Sequence, residues 1–190
     1  LNLEEKTTPQ DYVLNELNKE FENQKLIDIV SKFEVNFSKN AKSGFSLLIN
    51  RMLKIGDKKR ILELEENGIS IKTIPVSKTN KPWEAMSFPK YSLVDLIEEE
   101  WDGEHEADFK RIINQGFIFI PVIKEKEKYI VDGKSKYRYK NWKTWEIGKS
   151  VYWHPNKLEL STIKKEWEKA KDIVLNGVEV NNVKYGKGTR

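Results

Sequence analysis

Residues 116–123, G-F-I-F-I-P-V-I, form an apolar run with no polar side chain in it. A strand with one face in water alternates apolar and polar residues. A run that does not alternate is covered on both faces and belongs inside a sheet. The chain must therefore supply layers to cover it, and the helical spacings elsewhere do so. Val13, Leu17 and Phe21, then Leu26, Ile27, Ile29, Val30 and Phe33, predict two short amphipathic helices within 10–34. A polar loop is expected from Asn40 to Ser46, and Phe45, Leu47, Leu48, Ile49, Met52 and Leu53 predict a third helix. Ile61-Leu62-Glu63-Leu64-Glu65 alternates like a strand, and the turn signal Asn67-Gly68 predicts a hairpin over 61–76. Helices are expected over 92–101 and 109–114, and strands over 129–131 and 149–153. The last helix should run over 157–176, opened by the capping pair Asn156 and Glu159 and stopped by Gly177. The fold class is α/β (α+β), a mixed central sheet flanked by helices.

With 190 residues, 38% of them apolar, the chain suits one domain with a small helical appendage. The division expected is an N-terminal helical arm, 1–38, and a main domain, 39–190. There is no cysteine, which removes disulfide frameworks and thiolate metal sites and suits a reducing compartment. No apolar signal segment opens the chain and no stretch has the length of a membrane span, so a cytoplasmic setting is expected. Residue 1 is Leu, which suggests a fragment with a partner domain upstream.

Charge is unevenly spread. Residues 92–108 are acidic, and the run Glu98 to Asp108 reads as a solvated helix face. Residues 134–149 interleave Lys134, Lys136, Arg138, Lys140, Lys143 and Lys149 with Tyr137, Tyr139, Trp142 and Trp145. Cations displace counterions from phosphates and flat rings pack on sugars or bases, so the pattern suits a nucleic acid. It equally suits a solvated β-hairpin with half-buried aromatics. His105 and His154 stand far apart without ligand spacing, which argues against zinc.

Within G-I-S-I-K-T-I-P-V, residues 68–76, Ser70 and Lys72 occupy the positions of an ExK pair. In a metal-dependent nuclease that Glu and Lys share one strand face, because side chains alternate with period two. The Glu binds the metal and the Lys polarises or orients the attacking water. Here the lysine is present and the carboxylate is not. A neutral hydroxyl is a poor ligand for a hard divalent cation.

Ile69 to Val76, followed by Lys81-Pro82-Trp83-Glu84, resembles the catalytic strand and turn of the MutH mismatch-repair endonucleases and the related Sau-type GATC restriction enzymes. Ile147 to Asn156, I-G-K-S-V-Y-W-H-P-N, resembles that family's V-G-S-P-L-L-W-S-P-N segment, and Lys165-Glu166-Trp167-Glu168 its D-W-E-E helix. The likeness spans roughly Lys39 to Gly177. It implies a PD-(D/E)xK restriction-endonuclease-like core that cuts duplex DNA at GATC sites with magnesium. Carried over by position, the family's early Glu falls near Asn50, its Asp at or near Glu63, its ExK Glu at Ser70 and its Lys at Lys72. The resemblance also implies DNA contacts from Lys42, Gly148 and Lys149, with the basic residues Lys136, Arg138, Lys140 and Lys143 alongside. The base-reading loop departs from the family, since Trp145 and Glu146 stand where arginines are expected and Ser150 where proline is. Phe88 is either a DNA wedge or a buried aromatic.

Three readings follow. The first is a non-catalytic domain that binds a GATC-like duplex, needs no cofactor, and regulates an upstream catalytic MutH-like domain of the same polypeptide. The second is a self-sufficient magnesium-dependent endonuclease using Glu63, Glu65 and Lys72. The third is a protein-interaction module that has lost DNA binding.

Overall fold

The computed structural model describes residues 8–38, 42–55, 62–86 and 92–177, excluding the side chains of residues 42, 43, 62 and 63. Their order is α1 (Pro9–Phe21), α2 (Leu26–Lys32), α3 (Lys42–Met52), α4 (Leu62–Glu66), β1 (Ile69–Val76), α5 (Leu93–Glu98), α6 (Asp108–Ile113), β2 (Gly116–Ile123), β3 (Lys126–Val131), β4 (Lys134–Tyr139), a 3-10 turn (Trp142–Thr144), β5 (Glu146–Ile147), β6 (Val151–Trp153) and α7 (Lys157–Asn176). Phe88 lies outside the described residues. The chain divides into two compact units, one holding α1–α4 and every described strand, the other α5–α7.

In the first unit the apolar run 116–123 is the middle strand, as its lack of alternation requires. β1 lies parallel to it, with Ile69 opposite Gly116 and Val76 opposite Ile123. Parallel pairing needs a crossover connection, and the chain between β1 and β2 supplies one through α5 and α6. On its other side β2 pairs antiparallel with β5 and β6. Phe117, Ile118, Ile120 and Val122 are almost wholly buried. Val13, Leu17 and Phe21 of α1, Leu26 and Ile29 of α2, Leu48 of α3 and Leu64 of α4 share one core with Ile118 and Ile120. β3 and β4 form a separate two-stranded hairpin turned at Asp132-Gly133, where Gly133 takes φ 71°. The result is a mixed α+β fold, a mixed sheet flanked by helices, which is compatible with a restriction-endonuclease-like fold.

Two local expectations are corrected. Residues 62–66 are a helix, so no hairpin spans 61–76, and β1 takes its partner from far along the chain. Leucine and glutamate are good helix formers, and one helical turn suffices to bury Leu64. Gly68, at φ 62°, ends that turn by donating its N–H to the Glu65 carbonyl (2.9 Å). The loop expected over 40–46 gives way to α3, which already begins at Lys42.

In the second unit, α7 is capped by Asn156 and Glu159 as the sequence indicates, and Gly177 beyond it has φ 74°. Trp167 is buried against Trp101, with ring centroids 5.5 Å apart. The acidic run is not a helix face: α5 ends at Glu98, and Glu100 bridges to Glu106 before α6 begins. Asp102 there holds Lys110 (3.0 Å) and Lys164 (2.8 Å), and these two hydrogen bonds draw its carboxyl below the usual range. Truncating the central strand by Ile118→Ala should cost about 2–5 kcal/mol in denaturant unfolding. Removing the α7 cap by Asn156→Ala should cost about 0.5–2 kcal/mol in the same measurement.

Candidate nucleic-acid interface

A cavity of about 530 Å³ opens where α3, α4 and the first half of β1 meet. Asn50 from α3, Glu65 from α4 and Ser70 and Lys72 from β1 line it. Strand alternation puts Ser70 and Lys72 on one face of β1, two residues apart. The Gly68 and Val76 carbonyls accept from Gly116 and Lys124 on the β2 side, both at 2.9 Å. By the same alternation the backbone groups of Ile69, Ile71 and Thr73 point to the opposite edge, where no described strand pairs. Further along this edge Pro75, which has no N–H to offer, accepts from the Trp83 N–H (3.0 Å).

Three of the four positions that the resemblance marks as catalytic, Asn50, Ser70 and Lys72, thus converge on one cavity. The fourth, Glu63, is on α4 rather than on a strand, and its side chain lies outside the described residues. The side chain of Lys42, at the start of α3, is outside them too. Glu65, which the second reading requires, does line the cavity. The described polar side chains there are one carboxylate (Glu65), two carboxamides (Asn50 and Gln115), two hydroxyls (Ser46 and Ser70) and one ammonium (Lys72). Magnesium is usually held through one or two carboxylates together with substrate phosphates; the described side chains here supply one carboxylate, and that of Glu63 lies outside them. Among the described residues no three Asp, Glu or His side chains come together as a metal site.

The segment 146–150, where the resemblance puts base reading, is a bulge. Ile147 pairs with Val122 and Val151 with Phe119, so three residues, 148–150, oppose the two residues 120–121. Pro121 explains the position. Its carbonyl accepts the Gly148 N–H (2.8 Å), so its missing N–H would have pointed to the same side, and a regular antiparallel ladder cannot continue there. A Cβ on Gly148 would stand 3.0 Å from Pro121 Cβ, so a larger residue there would require one of the two to give by a few tenths of an ångström. Lys149, between buried Gly148 and buried Ser150, projects to solvent.

A residue the sequence reading passed over holds this bulge. The Asn18 carboxamide accepts from the Ser150 N–H (2.7 Å) and donates to the Ser150 carbonyl (3.0 Å), replacing the two bonds a neighbouring strand would make. The turn after α1 adds a second fastening: Asn23 N–H donates to Ile147 O (2.8 Å) and Ile147 N–H to Gln24 O (3.0 Å). Asn18 stands beside Leu17 on α1, and nothing in the helical spacing marks it as different from a surface asparagine.

The basic stretch 134–149 is not one hairpin. Residues 134–139 pair with the strand before them, and Trp145 is core, its indole N–H donating to the Lys140 carbonyl (3.1 Å). Alternation sends Lys136 and Arg138 to one face of β4 and Tyr137 and Tyr139 to the other. Arg138 is paired with Glu127 (2.8 Å), and Lys140 and Lys78 both bind Glu125. Among the described residues, Lys136, Lys143 and Lys149 are exposed and make no ion pair.

The lysine hydrogen bonds, first from Lys140 and then from Lys78, hold the Glu125 carboxyl down at about 2. A carboxyl depressed on folding adds stability above its ordinary value of 4.5 and loses it as pH falls towards about 2. Glu125→Gln should therefore flatten the acid limb of a stability–pH curve between those values, and less so in high salt. Asn18→Ala leaves the buried Ser150 N–H without a partner, which should cost about 1–3 kcal/mol in denaturant unfolding.

No family model matches the chain. It is similar to the DNA mismatch repair protein MutH of Shewanella woodyi, at 26% identity over 113 residues. That match covers 58% of this chain and 41% of the relative, so the chain spans less than half of the protein it resembles.

Proposed function

We propose that the chain is a MutH-like, DNA-binding domain that holds a duplex at a GATC-like site without cutting it. In this reading it regulates a catalytic MutH-like domain upstream in the same restriction endonuclease, in the bacterial cytoplasm. The convergence of Asn50, Ser70 and Lys72 on one cavity carries the reading. These are three positions the resemblance marks as catalytic, and only the lysine keeps matching chemistry. With serine rather than a carboxylate at position 70, Lys72 acts as a phosphate contact. Lys149 at the tip of the bulge offers a donor to guanine O6 and N7 in the major groove. Lys136 and Lys143 add phosphate contacts outside the cavity, and the resemblance adds Lys42 as a DNA contact. Arg138 and Lys140 must exchange their carboxylate partners for phosphate, so each contributes less than an unpaired cation. Gly148 serves by backbone shape, since its missing side chain lets the bulge lie close against Pro121. The MutH relative supports DNA as the partner.

Glu65 in the cavity wall favours a second reading, in which it joins Glu63 and Lys72 in a magnesium-dependent endonuclease. Duplex binding without magnesium should fall steeply with salt, and each lost phosphate contact should reduce the log–log slope by about 0.9. Lys72→Met should reduce it by about that amount, whereas Lys149→Met should cost about 1–3 kcal/mol of discrimination between a GATC duplex and an unrelated one. Addition of magnesium to the chain and a GATC duplex should give no cleavage. Specific cutting, abolished by Glu65→Gln, would establish the second reading instead. Regulation itself is tested by joining the chain to its catalytic partner, where duplex affinity at one domain should change that at the other by the same factor.

A further inference from the structure

A second cavity, of about 580 Å³, lies at the opposite end of β1 and β2, and it is lined neither by the positions that the resemblance marks as catalytic or DNA-contacting nor by those the proposed function uses. Trp83, Tyr137, Lys78, Lys124, Lys126 and Glu125 line it. Its framework is fastened by backbone. Pro82 bridges to Val76, and the Trp83 indole N–H donates to the Lys124 carbonyl (2.8 Å).

The charges in this cavity are unbalanced. Its one carboxylate, Glu125, is taken up by Lys78 and Lys140. Lys124 Nζ lies over three rings, at 4.0 Å from Trp145, 5.2 Å from Tyr139 and 5.7 Å from Phe45. Lys126 Nζ lies over Trp83 at 4.3 Å and Tyr139 at 5.1 Å. Neither ammonium has an ion pair among the described residues. Nearby Glu84 is engaged by the Tyr139 hydroxyl (2.6 Å). Cation–π contacts hold the two ammonium groups in place without neutralising them. Burial also draws Lys124 below the usual lysine range, a cost that an entering anion would relieve. Beside them stand two flat rings. Tyr137 is 67% exposed and Trp83 38%, and the Tyr137 ring stacks on no other described ring.

We propose that this cavity binds a nucleoside phosphate, with the base stacked against Tyr137 and Trp83 and the phosphate held by Lys124 and Lys126. Both halves are needed, because an acidic peptide would satisfy the ammonium groups and leave the rings uncovered. Base stacking on aromatic side chains tolerates any base. The same chemistry arrives either as a free nucleotide or as an unpaired nucleotide within DNA.

The test is tryptophan fluorescence of the intact chain titrated with dAMP, deoxyadenosine and inorganic phosphate. A parallel titration compares a duplex carrying one unpaired nucleotide with its fully paired counterpart. Stacking predicts that dAMP, or the unpaired duplex, binds about fivefold or more tightly than its controls. Tyr137→Ala and Lys126→Met should each erase that preference while the unfolding midpoint shows the variants folded. Trp83→Phe should remove the quench. A preference confined to dAMP assigns the free nucleotide, and one confined to the unpaired duplex assigns DNA. The proposal is overturned if neither ligand is preferred over its controls, or if the preference survives both Tyr137→Ala and Lys126→Met. The dAMP arm does not depend on paired-duplex binding, so the DNA-binding reading and this one can fail separately.

Discussion

The meeting of Pro121 with Gly148 governs how the central strand is used. β2 is the buried middle of the sheet, and a proline there removes one ladder donor on the side of β5 and β6. The third strand cannot run straight past it. The Gly148 N–H satisfies the Pro121 carbonyl, one extra residue is accommodated, and Lys149 is thrown outwards. A bulge sharpens local twist and re-aims a side chain, and here it turns an otherwise ordinary edge strand into a displayed loop. The cost is a pair of backbone groups on Ser150 left without a strand, which Asn18 then satisfies from α1. The N-terminal helices are therefore tied into the sheet by hydrogen bonds as well as by the shared core.

The two proposed sites use the two ends of the β1–β2 pair differently. At the start of β1 the edge away from β2, α3 and α4 enclose a polar cavity that, among the described residues, holds one carboxylate and one lysine. At the far end the rings of β4 and of residue 83 gather around lysines that the cavity's single carboxylate does not neutralise. The difference follows from side-chain alternation along the strands, because a period of two sends the tyrosines and the cations of β4 to opposite faces. It also moderates the basic stretch as a phosphate surface. Arg138 and Lys140 are already paired with glutamates, so counting positive residues along the sequence overstates the charge available to a partner.

Several features were legible from residue order alone because their causes are local. The central position of 116–123 follows from its failure to alternate, and the cap of α7 from Asn156 and Glu159, whose bonds span three residues. The sharing of one face by Ser70 and Lys72 follows from strand period. Residues 62–66 were not legible. A run of alternating Leu and Glu fits a short helix or an edge strand equally, and the choice depends on what Leu64 packs against. The role of Asn18 was invisible for the same kind of reason, since its partner is 132 residues away.

The sequence by itself determined the class of fold, the missing carboxylate at Ser70 and the cap of α7, because each rests on chemistry within a few residues. Only the tertiary structure decided that β1 pairs with a distant parallel strand, that Asn50 faces Ser70 and Lys72 across a cavity, and that Lys124 and Lys126 sit among aromatic rings. Those are contacts between segments far apart in the chain, selected by burial of the shared core rather than by any local preference.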